Sequence, residues 1–169
     1  MESSTLQALI SFPDRLEEFY AAVPADHAGW APESWNGIPS ESFTAIGQIC
    51  HVRDIEIDGY HRRLQRTLAE HEPFLANIDG YRLERERDYA HADAGEVLAS
   101  FRAARMQTVE LIRGLDATEL DRHAVFEDYG AITLRGLVHL LCSHDQQHLA
   151  GLQWLLGMIE ARRANGETS

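Results

Sequence analysis

Apolar positions recur at helical spacing in four stretches of the chain, and proline, glycine and charge collect between them. From about Thr5 to Val23, the stripe is Leu6, Leu9, Leu16, Phe19, Tyr20 and Val23, and Pro13 is expected to bend or divide this helix. A loop with Pro24, Gly29, Pro32, Gly37 and Pro39 follows and carries Trp30 and Trp35. The second helix is predicted to open at Ser40 or Ser42 as its cap and to run to about Glu70. Its seam is Phe43, Ile46, Cys50, Ile57, Leu64 and Leu68. Residues 71–92 read as a long charged connection. Asp93 with Glu96 then forms a capping pair for a third helix, whose stripe is Val97, Phe101, Ala104, Thr108, Leu111 and Leu115. A short helical turn opens at Asp116 with Glu119. Thr133 caps a last helix, about Leu134 to Arg163, and Asn165-Gly166 suits its stop. No stretch alternates well enough to predict a strand. The pattern predicts an all-α four-helix bundle with long connections, a single domain over residues 1–169 with its core at about 5–163.

Composition narrows the partners. With 169 residues, 44% of them hydrophobic and 25% charged, the chain suits an ordinary globular domain. A formal net charge of −12 repels phosphate backbones and anionic lipid, so neither nucleic acid nor membrane is expected as a partner. Met1-Glu2-Ser3-Ser4 lacks the charge and apolar run of a secretory signal, and Leu137–Cys142 is far too short to span a bilayer. A cytoplasmic setting is therefore expected, with Cys50 and Cys142 as reduced thiols.

Candidate chemistry sits in the last helix. His144 and His148 are four residues apart, on one helical face with β-carbons roughly 6 Å from each other. Two imidazoles so placed can converge on one cation at about 2.0–2.1 Å if it is zinc. Nine histidines in 169 residues make one such pair unremarkable by itself. Its placement matters more: Leu134, Leu137, Leu141, Leu152, Leu155 and Ile159 share that face, so both rings lie in the apolar seam and need polar partners. His139 points the other way, toward surface or interface.

The second helix offers a matching polar island of His51, Asp54, Asp58 and His61. One reading makes His51 a third metal ligand, with Asp54 or Asp58 accepting a hydrogen bond from a ligand imidazole. Three protein ligands leave a position for water or substrate, as in a catalytic site. The other reading is a buried His–Asp network that sets helix register and binds nothing. A di-iron carboxylate bundle is a worse fit, since it needs paired Glu-x-x-His segments on two helices and none occurs here.

Other candidates have plainer roles. Cys50 falls in the seam and Cys142 points away from His144, so both read as small core residues. Trp30 and Trp35 read as plugs at the bundle's end rather than a lid over the site. Arg82 to Asp88 reads as a solvated, self-paired charge run. Arg53, Arg102 and Arg105 are candidates for gripping a carboxylate, with nothing in the spacing to rank them.

Trp35 ahead of helix two, the run Cys50-His51-Val52-Arg53-Asp54, and His144-x-x-x-His148 together resemble the DinB/YfiT-like superfamily of metal-binding four-helix bundles, from the first helix to about Leu156. The resemblance maps the superfamily's three metal-ligand positions onto His51, His144 and His148 and implies one divalent metal ion: zinc, nickel or iron. It further implies a metal-dependent enzyme of the thiol-dependent transferase or isomerase type, using a low-molecular-weight thiol on a small electrophilic substrate. A homodimer and a stress-response setting go with that resemblance. The rival expectations are a metal-dependent hydrolase whose nucleophile is water, and a non-enzymatic metal-binding or dimeric interaction module.

Overall fold

The computed structural model describes residues 3–166. Helix α1 (Ser3–Ala22) runs through Pro13 without dividing. Proline has no N–H to give the carbonyl four residues back, and Arg105 Nη1 reaches that Leu9 carbonyl at 3.4 Å instead. After a 3-10 turn (Ala25–His27), helix α2 (Ala45–Asp54) is capped by Thr44, whose side chain accepts from the Gly47 N–H. Ser40 and Ser42 do not cap it; Ser40 Oγ accepts from Gln48 Nε2 at 3.0 Å. The helix then passes through a π turn (Ile55–Tyr60) into α3 (His61–Ala69). A π turn holds more residues per turn and so rotates the face that follows it. Glu56, Tyr60 and Arg63 are thereby buried, whereas Ile57 and Leu68, expected in the seam, are half-buried.

Residues 71–92 are more than a connection. They hold strand β1 (Phe74–Leu75), helix α4 (Gly80–Arg87, capped by Asp79) and a 3-10 turn at Tyr89–His91. Helix α5 (Ala94–Gly114) is capped by Asp93, which accepts from the Glu96 N–H. Its buried face includes Arg105, Val109 and Ile112, while Leu111 and Leu115 remain half-buried. Helix α6 (Ala117–Leu120) carries a reciprocal capping box between Asp116 and Glu119.

Strands were not predicted, yet β2 (His123–Phe126) and β3 (Gly130–Thr133) form an antiparallel hairpin, and β1 adds in parallel to β2. Strands of two to four residues are too short to establish a period, and β3 is exposed or half-buried throughout. The hairpin turns through left-handed Asp128 and Gly130 at φ of 67° and 78°. Helix α7 (Leu134–Ala164) is capped by Thr133 and stops at Asn165, with Gly166 at φ 75°.

The four long elements make the bundle, with α1 and α2 each packed against both α5 and α7. Its interior is two apolar blocks. One holds Phe12, Ile49, Cys50, Phe101, Leu152 and Leu155; the other holds Leu9, Ile55, Leu64, Val109, Leu137 and Leu141. Between them lies a polar layer contributed by α2, the π turn, α5 and α7, including the fully buried Glu56, Arg105, Asp145 and His148. No described helix is long and apolar enough to cross a membrane.

Candidate metal centre

The break between the two apolar blocks of α7 is where His144 and His148 project, and α2 faces them with His51. The three Nε2 atoms converge: His144 to His51 is 3.3 Å, and His148 to His144 is 3.1 Å. All lie within 4.8 Å of one another, the one such cluster of His, Cys, Asp or Glu among the described residues. Ligands at about 2.0–2.1 Å from a common four-coordinate cation are separated by roughly 3.3 Å, so the donor set fits a divalent metal.

The tautomers favour the same conclusion. Gln48 Nε2 donates to Ser40 Oγ and the Glu41 carbonyl, each at 3.0 Å, which turns its Oε1 toward His148 Nδ1 at 2.5 Å. His148 Nδ1–H therefore donates to Gln48, leaving the Nε2 lone pair aimed into the cluster. Gly151 on α7 permits this: a Cβ there would meet Ser40 Oγ and come within 2.9 Å of Gln48 Nε2. On the far side, α4 lies so close to His51 that a Cβ on Gly80 would be 2.6 Å from its Cε1. Both glycines serve close approach rather than an unusual φ.

Burial, the largest influence on each ring, drives all three imidazoles below their ordinary value of 6.5, with His144 and His148 well below. Neutral rings are what a metal requires. A pH dependence follows for the metal-free protein. Native imidazoles of lowered pKa bind fewer protons than unfolded ones, so the stability they confer is whole above about pH 6.5 and is lost as the pH falls below it. Asp145, pushed up to about 6 by burial against the pull of Arg105, acts in the opposite sense. The expected result is an unfolding free energy, read from Tm, that falls more steeply below about pH 6.5 in wild type than in His144→Ala/His148→Ala, by up to about 1.4 kcal/mol per pH unit for each ring lost. Equal slopes in thermal melts would show that the rings titrate as freely as in the unfolded chain.

Neither carboxylate expected to orient an imidazole does so. Asp54 is buried but bonds Arg53 Nε at 2.7 Å, Arg87 Nη1 at 2.9 Å and the Tyr89 hydroxyl at 2.6 Å. Asp58 pairs with Arg87 and Arg62. The orienting group is an amide, Gln48, one turn before His51 on α2. His61 turns to the Ala104 carbonyl, 3.0 Å away, and His139 is exposed beside Thr5.

A second group went unforeseen because it sits in the loop before α2. Glu41, 37% exposed, places its carboxylate oxygens 3.7 Å from His51 Nε2 and 3.5 Å from His148 Nε2. It also lines a cavity of about 290 Å³ together with His51, His144, Tyr60, Arg63 and Tyr129. The centre therefore opens to a pocket rather than being sealed.

The candidate arginines grip the protein itself. Arg105 is held between Glu56 and Asp145 by four bonds of 2.7–3.0 Å, with Thr108 donating to Glu56. Arg102 pairs with Asp14 and Glu17 on α1, and Arg53 with Asp54. The Arg82–Asp88 run is only partly self-paired, because Arg87 crosses to Asp54 and Asp58. Burial pushes the Cys50 thiol up to about 11, and Cys142 is raised for the same reason, so neither is a nucleophile at neutral pH. Trp30 and Trp35 pack on the apolar block of Phe12 and Leu155 and do not line the cavity.

A family model for the DinB superfamily matches residues 8–152. The chain belongs to the DinB superfamily. The match takes in His51, His144 and His148 and reaches from within α1 to within α7. Among solved structures, the chain is similar to YfiT from Bacillus subtilis, described as a probable metal-dependent hydrolase with an unusual four-helix bundle topology. The TM-score is 0.79 at 19% identity, over 99% of this chain and 91% of that one, a likeness of fold. A search of curated proteins found no match.

Proposed function

We propose that this DinB superfamily protein is a metal-dependent enzyme that holds one divalent cation with His51, His144 and His148. The observation that carries the proposal is the convergence of the three Nε2 atoms beside an open cavity that His51 and His144 line. Zinc, nickel and iron all suit three imidazoles. Bound there, such a cation supplies Lewis acidity that lowers the pKa of a water or thiol nucleophile. The chain's own groups do the rest. Gln48 fixes the His148 tautomer, Glu41 stands at the mouth where it can accept a proton from an incoming nucleophile, and Tyr60, Phe126 and Tyr129 wall the cavity against solvent.

We further propose transfer from a low-molecular-weight thiol to a small electrophile as the reaction. Both cysteines lie off the site with raised pKa values, so the nucleophile has to come from a second molecule. A second cavity of about 480 Å³ adjoins the first and shares Arg63, Asn77 and Ile78 with it, which offers separate seats for two reactants. Hydrolysis is the competing reading, supported by the likeness to YfiT, and needs one seat only. The test is turnover of an electrophile panel and an ester and amide panel by metal-loaded protein, with and without added thiol. Thiol-dependent turnover supports transfer, and thiol-independent turnover supports hydrolysis. A loaded protein inert on both panels would leave a metal-binding module.

A further inference from the structure

All fifteen cationic side chains of this acidic protein are arginines, and five of them (Arg62, Arg63, Arg66, Arg82 and Arg87) line the single groove beside the metal pocket. Asp58 is the one acidic residue lining it. Four of the five are engaged at least in part: Arg66 with Glu70, Arg87 with Asp54 and Asp58, Arg62 with Asp58 at 3.5 Å, and Arg82 with Glu86 at 3.7 Å. Arg63 differs. It is only 6% exposed, makes no ion pair among the described residues, and leaves its buried Nε without a hydrogen-bond partner. Its single bond runs from Nη2 to the Ala76 carbonyl at 3.1 Å, and its guanidinium lies over the Phe126 and Tyr60 rings at 4.5 and 5.2 Å. The groups that pull its pKa up are Tyr60 and Tyr129, not a carboxylate, and burial outweighs them.

A buried cation without a counter-ion is costly, and this one forms the wall common to the groove and the metal pocket. We propose that the groove is an anion subsite, in which Arg63 with Arg66 and Arg82 receives a carboxylate or phosphate group of a small reactant whose other end reaches the metal pocket. The aromatic stack holds the guanidinium plane in place, as bidentate pairing with an oxyanion requires. The groove's service as a reactant seat rests on the metal-enzyme reading above; anion binding by the groove does not.

The test is titration of inorganic phosphate and, separately, succinate into metal-loaded and metal-stripped protein, followed through the arginine Nε–Hε resonances. Saturable shifts at Arg63 and Arg82 with either anion, in both forms of the protein, are expected, and the anion that saturates identifies the group. Arg63→Gln is expected to weaken binding by about ten- to hundredfold. Because Arg63 also packs on Phe126, the pair Arg62→Gln/Arg82→Gln at exposed positions serves as the second variant, with a few-fold loss and a shallower salt dependence. No saturable shift with either anion, or affinity unchanged in both variants, overturns the proposal. Binding that vanishes on stripping the metal places the anion on the cation and overturns it too. Failure to take up metal at all would sink the enzyme reading while leaving anion binding in the groove to be judged by the same shifts.

Discussion

Replacing His148 with alanine is expected to lower affinity for zinc or nickel by at least about a hundredfold, since it removes one of three protein ligands. Purified wild type should carry close to one equivalent of metal and the variant little. Gln48→Ala tests the tautomer argument separately. Gln48 touches the ligand set directly through its bond to His148 Nδ1, so its loss is expected to cost about ten- to hundredfold while leaving three imidazoles in place. Elemental analysis followed by competition with a chromophoric chelator measures both. Wild type that arrives metal-free and refuses added zinc and nickel would reduce the cluster to a buried imidazole network and remove the basis for an enzyme. Affinity unchanged in His148→Ala would mean that the metal sits elsewhere.

Arg105→Ala is expected to destabilise the fold by about 3–5 kcal/mol, the range for breaking a buried charge pair from one side. Arg105 is 1% exposed and carries the only positive charge against Glu56 and Asp145 in the described polar layer, and it also reaches the Leu9 carbonyl released by Pro13. Alanine strands two buried carboxylates and empties the space of the largest fully buried side chain. For a chain of this size the loss corresponds to roughly 10 °C in Tm. Glu56→Gln/Arg105→Met/Asp145→Asn removes all three charges together and is expected to recover most of that loss. A thermal melt showing Arg105→Ala within about 1 kcal/mol of wild type would mean that water reaches the trio.

The three histidines were legible because burying a polar side chain in an aliphatic stripe is conspicuous at helical spacing. His144 and His148 interrupt the leucines of α7, and His51 sits on a face that could meet them. The caps Asp93, Asp116 and Thr133 were equally plain, since each obeys a local rule that needs no partner from elsewhere. The resemblance to the DinB/YfiT-like superfamily, carried by the same residues, agrees with the family match. Where the reading went astray, the cause was not local. The π turn at Ile55–Tyr60 rotates the second half of its helix, so a seam drawn at a constant 100° per residue put Ile57 inside and left out Glu56. The three-stranded sheet escaped because strands of two to four residues are held by their pairing rather than by a pattern of their own.

By itself, then, the sequence determined the long helical stretches, the caps Asp93, Asp116 and Thr133 and the His144–His148 pair, all of which follow from local rules along one chain. His51 joined that pair as one of two open readings and through the superfamily resemblance. Tertiary structure decided the rest. It chose Gln48 over Asp54 and Asp58 to orient a ligand ring, brought Glu41 from a loop to the mouth, and gave Asp145 to Arg105. It also set five arginines from α3 and α4 around one groove. The reason is physical: a buried donor or charge takes whichever partner the packing of other elements delivers within bonding distance, and that distance is not written in the spacing of either residue.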